Sequence, residues 1–381
     1  MIHSTIADGV AVLRLSAPPL NTITYALLEE LRAAIGRANR EAAARSIVII
    51  GDATHFSAGV DLGIFRAIGC REDAIRASRI CQEAFQEVED SGKPVVAAVA
   101  GKVIGAALEL AMACHWRVCT RETSFSMPEV GLGINPGAGG TQRLPRLVGL
   151  DAALPMLLTG KPVDAQHALA AGLVDAICEG DALLEAARAV ARPAGSPDDS
   201  ENRPAPRKTS LRTDKVQDAS LNAAAFERAK KLLARVPPEV IAPRRIAEAV
   251  RTGLEESFQA GLRAEQTTFA DCMDTPAARN KIYLFFATRD TGKVGARHAV
   301  PLHEKPREIA KAAVIGMGAM GTGIAQTIIT AGIPVIVRDE NESALRKGTD
   351  RIAGSIQKRV EQGKLSSERA KATMGLLFTT T

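Results

Sequence analysis

The sequence predicts an α/β chain in three parts, and three patterns support this fold class. Over residues 1–190, short apolar runs alternate with amphipathic stretches, which is typical of strands and helices packed in layers. Residues 221–288 have helical periodicity instead. From residue 311, an apolar run leads into a glycine-rich turn, a helix and a further strand. We therefore expect a layered α/β domain, a helical region and the start of a second α/β domain.

The first part supplies the strands and helices of the layered domain. Val10–Leu15, Ile47–Ile50 and Val95–Val99 are apolar runs of strand length. Tyr25–Asn39 has leucine and isoleucine residues near helical spacing, which predicts a helix. Further helices are predicted over Gly105–Ala113, Leu150–Leu158, Asp164–Ala171 and Asp181–Val190, with Asp164 and Asp181 as N-caps and Gly172 as a C-cap.

The remaining parts are separated by a change in composition. Residues 191–220 are polar and contain several prolines, which predicts a linker. Beyond it, helices are predicted over Leu221–Leu233, Pro243–Glu256, Gln259–Asp271 and Thr275–Thr288. The predicted organisation is a domain over 1–190, a linker over 191–220, a helical region over 221–310 and an α/β fragment over 311–381.

Two glutamates lie in apolar, glycine-rich surroundings, where a carboxylate is costly to bury. Glu109 directly follows the segment Gly101–Leu108. Glu129 precedes the turn Pro136–Gly140, which leads into a further predicted helix. Paired carboxylates in one small site can move a proton and activate a water molecule. For either glutamate alone, a solvated helix face or a buried ion pair is the alternative interpretation.

Composition narrows the class of ligand. The 48 Lys and Arg residues against 43 Asp and Glu residues give a net charge of +5, which suits an anionic nucleotide but is too diffuse to indicate nucleic acid. Six cysteines without C-x-x-C spacing predict free thiols, and six histidines without a ligand pattern predict no metal site. The sequence has no apolar stretch long enough for a membrane span and no signal-peptide pattern, so we expect a cytoplasmic protein.

A third segment completes a family pattern. The residues from Phe56 to Asp61 read F-x-A-G-x-D and follow the predicted strand Ile47–Ile50. Together with the segments around Glu109 and Glu129, this loop resembles the enoyl-CoA hydratase (crotonase) superfamily. The resemblance implies the crotonase spiral of ββα repeats for the first domain and an acyl-CoA thioester as the substrate.

The resemblance also implies a role for each matching residue. The backbone N–H groups of Val60 and Ala106 would form an oxyanion hole, in which each donor is worth about 3–4 kcal/mol. Ala106 stands where the family more often has glycine. The methyl group of alanine narrows the pocket, and the backbone N–H is retained. Glu109 would deprotonate a water, and Glu129 would protonate C2 of the substrate. Other residues expected at the substrate are Ala58, Gly59, Asp61, Leu62, Gly105, Pro136, Gly137 and, at a CoA phosphate, Lys281, for which a solvated helix lysine is the alternative.

The third part of the chain begins with a dinucleotide-binding pattern. A strand predicted over Lys311–Ile315 is followed by a G-x-G-x-x-G turn, whose glycines let the backbone approach a pyrophosphate. A helix over Thr322–Thr330 and a strand over Pro334–Arg338 come next. The acidic residue expected to bind the ribose of NAD lies roughly 20 residues beyond such a turn. The cofactor-binding candidates are Gly316, Gly318, Gly321 and Asp339.

This last pattern resembles the opening of the 3-hydroxyacyl-CoA dehydrogenase domain. With the crotonase part before it, the chain resembles the N-terminal portion of multifunctional β-oxidation enzymes. Residues 311–381 have room for one βαβ start, and the H-F-F-x-P segment that carries the family's catalytic histidine has no counterpart. We therefore expect an incomplete dehydrogenase with weak or no NAD binding.

Four functions remain open from the sequence. The first is enoyl-CoA hydratase, which adds water syn to a trans-2-enoyl-CoA and needs no cofactor. The second is Δ3,Δ2-enoyl-CoA isomerase on the same site, the third an NAD-dependent 3-hydroxyacyl-CoA dehydrogenase, and the fourth a non-catalytic acyl-CoA-binding scaffold. The presence of both Glu109 and Glu129 favours the hydratase, because isomerisation needs only one proton-shuttling carboxylate. The oligomer is expected to be a homotrimer or a monomer.

Overall fold

The computed structural model describes residues 1–52, 55–191, 208–297 and 309–381. Most of the predicted linker, including the proline-bearing stretch 194–204, therefore lies outside the described residues. The contacts within the chain divide it into two units, Met1–Lys293 and Val294–Thr381.

The first unit combines two sheets with a set of helices. Its strands are β1 (Ile2–Ala7), β2 (Val10–Leu15), β3 (Ser46–Ile50), β4 (Val95–Val99), β5 (Lys102–Ile104), β6 (Trp116–Thr120), β7 (Ser124–Ser126), β8 (Val163–Asp164) and β9 (Ala176–Cys178). Its helices are α1 (Tyr25–Arg40), α2 (Gly63–Ala67), α3 (Arg71–Glu89), α4 (Ala106–Ala113), α5 (Gly140–Val148), α6 (Leu150–Thr159), α7 (Ala165–Ala171), α8 (Leu183–Ala191), α9 (Ala219–Leu233), α10 (Ala242–Glu255), α11 (Phe258–Met273) and α12, which begins in this unit and spans Pro276–Arg297.

The larger sheet has the order β1-β2-β3-β4-β6-β9 and is parallel except for the pair of β1 and β2. Strands β3 and β4 are buried on both faces, which explains their continuous apolar sequences. One face packs in the main core with α1, α3 and α4, and the other packs against α8. Because neighbouring parallel strands end at the same edge, the segments that follow β3 and β4 can meet there.

Several predicted elements are confirmed with small shifts, one local prediction needs correction, and one edge strand was not predicted. The strands β2 and β4 have the predicted bounds. Asp164 caps α7 by accepting a hydrogen bond from the His167 N–H at 2.9 Å. Asp181 is not the cap of α8, because it lies in a short 3-10 turn and the helix begins two residues later at Leu183. Strand β1 was not predicted, since its largely exposed edge position allows polar residues.

The helices that follow the predicted linker complete the core of the first unit. Helices α10 and α11 pack against each other, and α11 also packs against α3 and α5. The buried residues of α10 recur at helical spacing, and include Ala242, Ile246, Ala249, Val250 and Gly253. This packing carries one face of α11 into the region where α4 and α5 begin. Among the described helices, none is long and apolar enough to cross a membrane.

The second unit contains a small parallel sheet. Its elements are β10 (Ala312–Ile315), α13 (Ala319–Thr330), β11 (Val335–Arg338), α14 (Glu342–Glu361), α15 (Ser367–Met374) and β12 (Leu377–Thr380), with the strand order β10-β11-β12. The predicted strand, turn, helix and strand are all present, and β12 adds a third strand that was not predicted. The apolar side chains of Ile315 and Met320 are 87% and 80% exposed.

Candidate active site

The loop after β3 is held against the segment before α1. The Ile23 N–H donates to the Gly59 carbonyl at 2.8 Å, and the Asp61 N–H donates to the Ile23 carbonyl at 2.9 Å. Gly59 has a φ of +85°, and a Cβ there would lie 2.5 Å from the Ile104 carbonyl oxygen. Only glycine fits this close approach without strain. Val60 lies between the two hydrogen bonds, and its own N–H has no partner in the described part of the chain.

The loop after β4 passes through β5 and turns into α4 at Gly105. Gly105 has a φ of +54°, and a Cβ on it would lie 2.3 Å from Oε1 of Glu129. The next residue, Ala106, is the first of α4, where helix N–H groups lack internal partners. Within the described residues the Ala106 N–H has no acceptor, and its nitrogen would lie 3.7 Å from a Cβ placed on Gly59. The two loops thus bring the free amides of Val60 and Ala106 into one region, as the oxyanion-hole interpretation requires.

Two adjoining cavities share this region. The larger has a volume of about 760 Å³, and the smaller, of about 50 Å³, lies beside α3. Both are lined by Val60, Phe65, Ala106 and Glu129. The larger is also lined by the sequence-predicted residues Ala58, Gly59, Asp61, Leu62 and Gly105, and the smaller by Glu109 and Gly137.

Glu109 is fixed by the turn that leads into α5. The side chain is 2% exposed, and its Oε1 accepts hydrogen bonds from the N–H groups of Ala138 at 2.8 Å and Gly140 at 2.7 Å. Its other oxygen has no partner among the described residues. Burial raises the pKa of Glu109 well above its ordinary value, the charges of Glu265 and Glu129 add to the rise, and the two amide donors oppose it. Such a carboxylate can accept a proton near neutral pH.

Glu129 faces the same space from a 3-10 helix over Pro128–Leu132. Its Oε2 is buried and has no hydrogen-bond partner among the described residues. Burial raises the pKa of Glu129 to about 7, and the nearby charge of Glu265 acts in the same direction. A carboxyl group in this position can hold a proton at neutral pH and release it to a bound molecule. The remaining titratable side chain in the small cavity, Cys81, has its pKa raised by burial to about 12, so it is a neutral thiol and a poor nucleophile.

Two of the predicted substrate contacts do not line either cavity. Pro136 is buried, and its carbonyl accepts a hydrogen bond from the Asn135 side chain at 2.9 Å. Lys281 lies near the C-terminal end of the 3-10 helix over Pro128–Leu132, where a Cβ on Gly133 would lie 3.1 Å from its Cδ. The basic side chain that α12 presents to the larger cavity is Arg289 instead. Sequence reasoning missed Arg289, because one basic residue in a helical pattern does not reveal which way it faces.

A further buried glutamate near this site, Glu265 on α11, was also missed. The side chain is 0% exposed and accepts hydrogen bonds from the turn before α5. One signal was available in the sequence: Glu265 is at helical spacing from Leu262, Phe269 and Cys272, all of which are buried. A glutamate on the apolar face of an amphipathic helix is a candidate for a buried role.

The glycine-rich turn of the second unit has the geometry that a pyrophosphate needs. Gly316 has a φ of +91°, and a Cβ on Gly321 would lie 1.8 Å from the Gly316 carbonyl oxygen. The Met317 N–H donates to Oδ2 of Asp339 at 2.7 Å, and this bond is the leading cause that lowers the pKa of Asp339. The amides from Gly318 to Gly321 have no partner in the described chain. The turn therefore fits a dinucleotide, with Asp339 beside it.

The fold of the first unit has solved counterparts. Enoyl-CoA hydratase from Bacillus halodurans aligns with a TM-score of 0.52 and 20% sequence identity, over 74% of this chain and 99% of that chain. This likeness identifies the crotonase fold, so the spiral fold expected for the first domain is confirmed.

The sequence comparisons then identify the family. Residues 5–199 match the model of the family described as enoyl-CoA hydratase/isomerase, and the chain belongs to this family. Residues 311–381 match the 3-hydroxyacyl-CoA dehydrogenase NAD binding domain.

Two relatives of this chain match it across both residues 5–199 and residues 311–381. The glyoxysomal fatty acid beta-oxidation multifunctional protein MFP-a of Cucumis sativus is 36% identical over 97% of this chain and 50% of its own length. The fatty acid oxidation complex subunit alpha of Shewanella amazonensis is 35% identical over 98% of this chain and 53% of its own. The chain spans about half the length of these relatives, and the predicted resemblance to multifunctional β-oxidation proteins is confirmed.

Proposed function

We propose that this chain hydrates trans-2-enoyl-CoA thioesters to 3-hydroxyacyl-CoA products. The observation that carries the proposal is the meeting of four groups at one pair of cavities. Two are buried carboxyl groups, Glu109 and Glu129, and two are unpaired backbone amides, those of Val60 and Ala106. A scaffold that only binds acyl-CoA has no need to bury two carboxyl groups beside its ligand.

The proposed reaction uses each group once. Glu109 accepts a proton from a water molecule, and the water oxygen forms a bond to C3 of the substrate. The electron pair of the 2,3 double bond moves toward the thioester carbonyl, whose oxygen gains negative charge and is stabilised by the amides of Val60 and Ala106. Glu129 gives its proton to C2, which completes the addition of one water. The two glutamates then exchange their protonation states before the next cycle.

The larger cavity suits the rest of a thioester substrate. Its walls combine the F-x-A-G-x-D loop with the aromatic side chains of Phe285 and Phe286 on α12. Arg289 lies at the same wall and offers a positive charge to an anionic group of CoA. In the proposed binding mode, the nucleotide end of the substrate lies toward α12 and the reacting end toward Glu109.

The test is an absorbance assay of crotonyl-CoA, in which hydration removes the conjugated enoyl-thioester band. We expect the band to fall without NAD, and addition of NAD to leave the rate unchanged. A parallel assay on a double variant, Glu109→Gln with Glu129→Gln, controls for spontaneous hydration. No loss of absorbance above this control would refute the hydratase assignment.

Δ3,Δ2-enoyl-CoA isomerisation is the second candidate on the same site. The Oε2 atom of Glu129, which has no partner among the described residues, favours this reaction. Isomerisation needs one carboxyl group that moves a proton from C2 to C4 of the substrate. NAD-dependent dehydrogenation is the third candidate: when bound, NAD would supply a hydride acceptor, and the Gly316–Gly321 turn and Asp339 would hold it. Weak or no NAD binding, as expected from the sequence, remains a prediction.

Two further expectations belong to the proposal. The assembly state, homotrimer or monomer, is to be measured by sedimentation. A cytoplasmic location remains a prediction, and the named relatives include both glyoxysomal and bacterial proteins.

A further inference from the structure

The turn that holds Glu109 is shared between two glutamates in an alternating pattern. Its N–H groups at Ala138 and Gly140 donate to Oε1 of Glu109. The N–H groups in between and after, at Gly139 and Thr141, donate to Oε1 and Oε2 of Glu265 at 2.6 and 2.9 Å. Four successive amides therefore donate alternately to two different carboxylates, and both carboxylates are buried.

Glu265 has a complete set of donors. Besides the two amides, the Thr141 hydroxyl donates to Oε2 at 2.6 Å, and the Gln82 side-chain amide donates to Oε1 at 2.9 Å. Gln82 is itself fixed, since its amide nitrogen also donates to the Leu262 carbonyl and its oxygen accepts from Gln266. Burial raises the pKa of Glu265, and the four hydrogen bonds act in the opposite direction. Donors on every side are what an ionised carboxylate needs in a site without water.

We propose that Glu265 is a positioning residue for the reaction: by holding the amides of Gly139 and Thr141, it keeps those of Ala138 and Gly140 directed at Glu109. Glu265 lines neither cavity, so it has no direct contact with the substrate, and its charge also raises the pKa of Glu109 and of Glu129. The role rests on the proposed function of Glu109 as the base that activates water. A shift of about 1 Å in such a group costs on the order of 10²-fold in rate.

The decisive variant is Glu265→Gln. The glutamine side chain has the same shape as the glutamate side chain. Its NH2 group, however, must face either the Gly139 N–H or the Thr141 N–H, so one donor of the turn loses its acceptor. We expect kcat for crotonyl-CoA hydration to fall about 10²-fold while KM changes less than threefold. Thr141→Val removes the hydroxyl, which donates to Glu265 and accepts a hydrogen bond from the Gln142 side chain, and is a second and milder variant with an expected fall of about tenfold.

The matched control is Asp271→Asn. It makes the same carboxylate-to-amide change on the same helix, and it breaks ion pairs with Arg71 and Arg245 without reaching the turn. This control is expected to lower the melting temperature and to leave kcat within threefold of the wild type. An equal loss of kcat in the control would assign the effect to the packing of α11 and overturn the positioning role.

Hydrogen exchange read by mass spectrometry tests the mechanism without any activity assay. In Glu265→Gln and Thr141→Val, the peptide covering residues 136–143 should exchange at least tenfold faster, while peptides from α10 stay unchanged. Unchanged exchange in this peptide would overturn the inference even if the wild type proved inactive on crotonyl-CoA, which would refute the proposed function separately. Faster exchange with kcat within threefold of the wild type would also overturn it, because the turn would then move without affecting Glu109.

Discussion

Two glycine-rich turns lead into helices in this chain, and their backbone amides have different partners. In the first unit, the amides of residues 138–141 all donate to the carboxylates of Glu109 and Glu265. In the second unit, the amides of residues 318–321 have no partner in the described chain. Both turns have the local form of an anion-binding site. Carboxylates supplied from distant helices occupy one of them, whereas the other is left for a ligand.

The difference shows that a glycine turn before a helix does not reveal what its amides bind. The deciding factor is whether an acidic side chain lies opposite the turn. In the first unit, α4 and α11 each supply one. In the second unit, Asp339 accepts a hydrogen bond from the Met317 amide at the edge of the turn, and its other oxygen accepts one from the Asn341 amide outside the turn. The occupied turn holds the carboxylate that we propose as the base, and the open turn has free amides that can bind a phosphate.

The largest loss of activity is expected from replacing Glu109, the carboxylate held by the occupied turn. Glu109→Gln keeps the shape but removes the base, so hydration should fall about 10²–10⁴-fold. Isomerisation of a 3-enoyl-CoA, if the chain catalyses it, uses no water and should fall much less. Glu129→Gln removes the proton donor and should suppress both reactions. Both substrates are to be assayed on both variants, after circular dichroism confirms that each variant is folded.

A structural glutamate would give a different outcome. Its replacement would reduce both reactions together, in step with stability. Equal residual hydratase and isomerase rates in the Glu109 variant, or near-native hydration in either variant, would contradict the assigned roles.

The next largest effect is expected at the amides of Val60 and Ala106, which donate to no carboxylate. Gly59→Ala places a methyl group 2.5 Å from the Ile104 carbonyl oxygen at a φ of +85°, which must shift the Val60 amide. We expect kcat to fall about 10²–10³-fold, the cost of losing one oxyanion donor. The control is Gly180→Ala, where an added Cβ meets nothing within 4 Å. A Gly59 variant with kcat close to that of the control would remove Val60 from the oxyanion hole.

A smaller effect follows from the burial of Glu129. Its pKa is about 7 in the folded chain and 4.5 without burial, so the folded state binds the proton more tightly. Stability is therefore lost as the pH rises from about 4.5 through 7, and the loss is complete above 7. Glu129→Gln avoids this loss and should be more stable than the wild type by about 1–3 kcal/mol at pH 8, with little difference at pH 4.

Urea unfolding at the two pH values measures this difference. Glu122→Gln, which removes one charge from an exposed residue, is the control and should change stability by less than about 0.5 kcal/mol. A Glu129 variant that is no more stable at pH 8 than at pH 4, relative to the wild type, would contradict the assigned burial of this charge.

The smallest effect is expected at the open turn. Its amides fit a pyrophosphate, but the apolar side chains of Ile315 and Met320 around it are largely exposed. We expect calorimetric titration of the chain with NAD to give no micromolar binding, and 3-hydroxybutyryl-CoA with NAD to give no NADH. Micromolar affinity in the titration would mean that the turn alone is enough to hold the dinucleotide.

The sequence predicted the local part of this site and missed the part built by long-range packing. Glu109, Glu129 and the loop at Gly59 lie in short segments with a recognisable pattern, and the structure brings them to adjoining cavities. Glu265 and Arg289 belong to helices whose periodicity was clear but whose orientation depends on how they pack. A helical pattern identifies a buried face without identifying what it is buried against.

The fold was predictable to a similar extent. Continuous apolar runs located the central strands β2, β3 and β4, because those strands are buried on both faces. Strands β1 and β12, at the margins of their sheets, have mixed polarity and were missed. The central strand β6 and the long helix α3 were also not predicted. The start of α8 was misplaced by two residues because a 3-10 turn precedes it, and such turns have no strong sequence signal.

The hydrogen bond from the Thr141 amide to Glu265 spans 124 positions of the chain, and this separation has a consequence for biosynthesis. Residues 5–199, which match the family, leave the ribosome well before α11 does. Until Glu265 emerges and docks, the amides of Gly139 and Thr141 lack their acceptor, and the turn has its hydrogen bonds to Glu109 without those to Glu265. We expect a nascent chain to acquire its layered core first and its catalytic competence only after the later helices are synthesised.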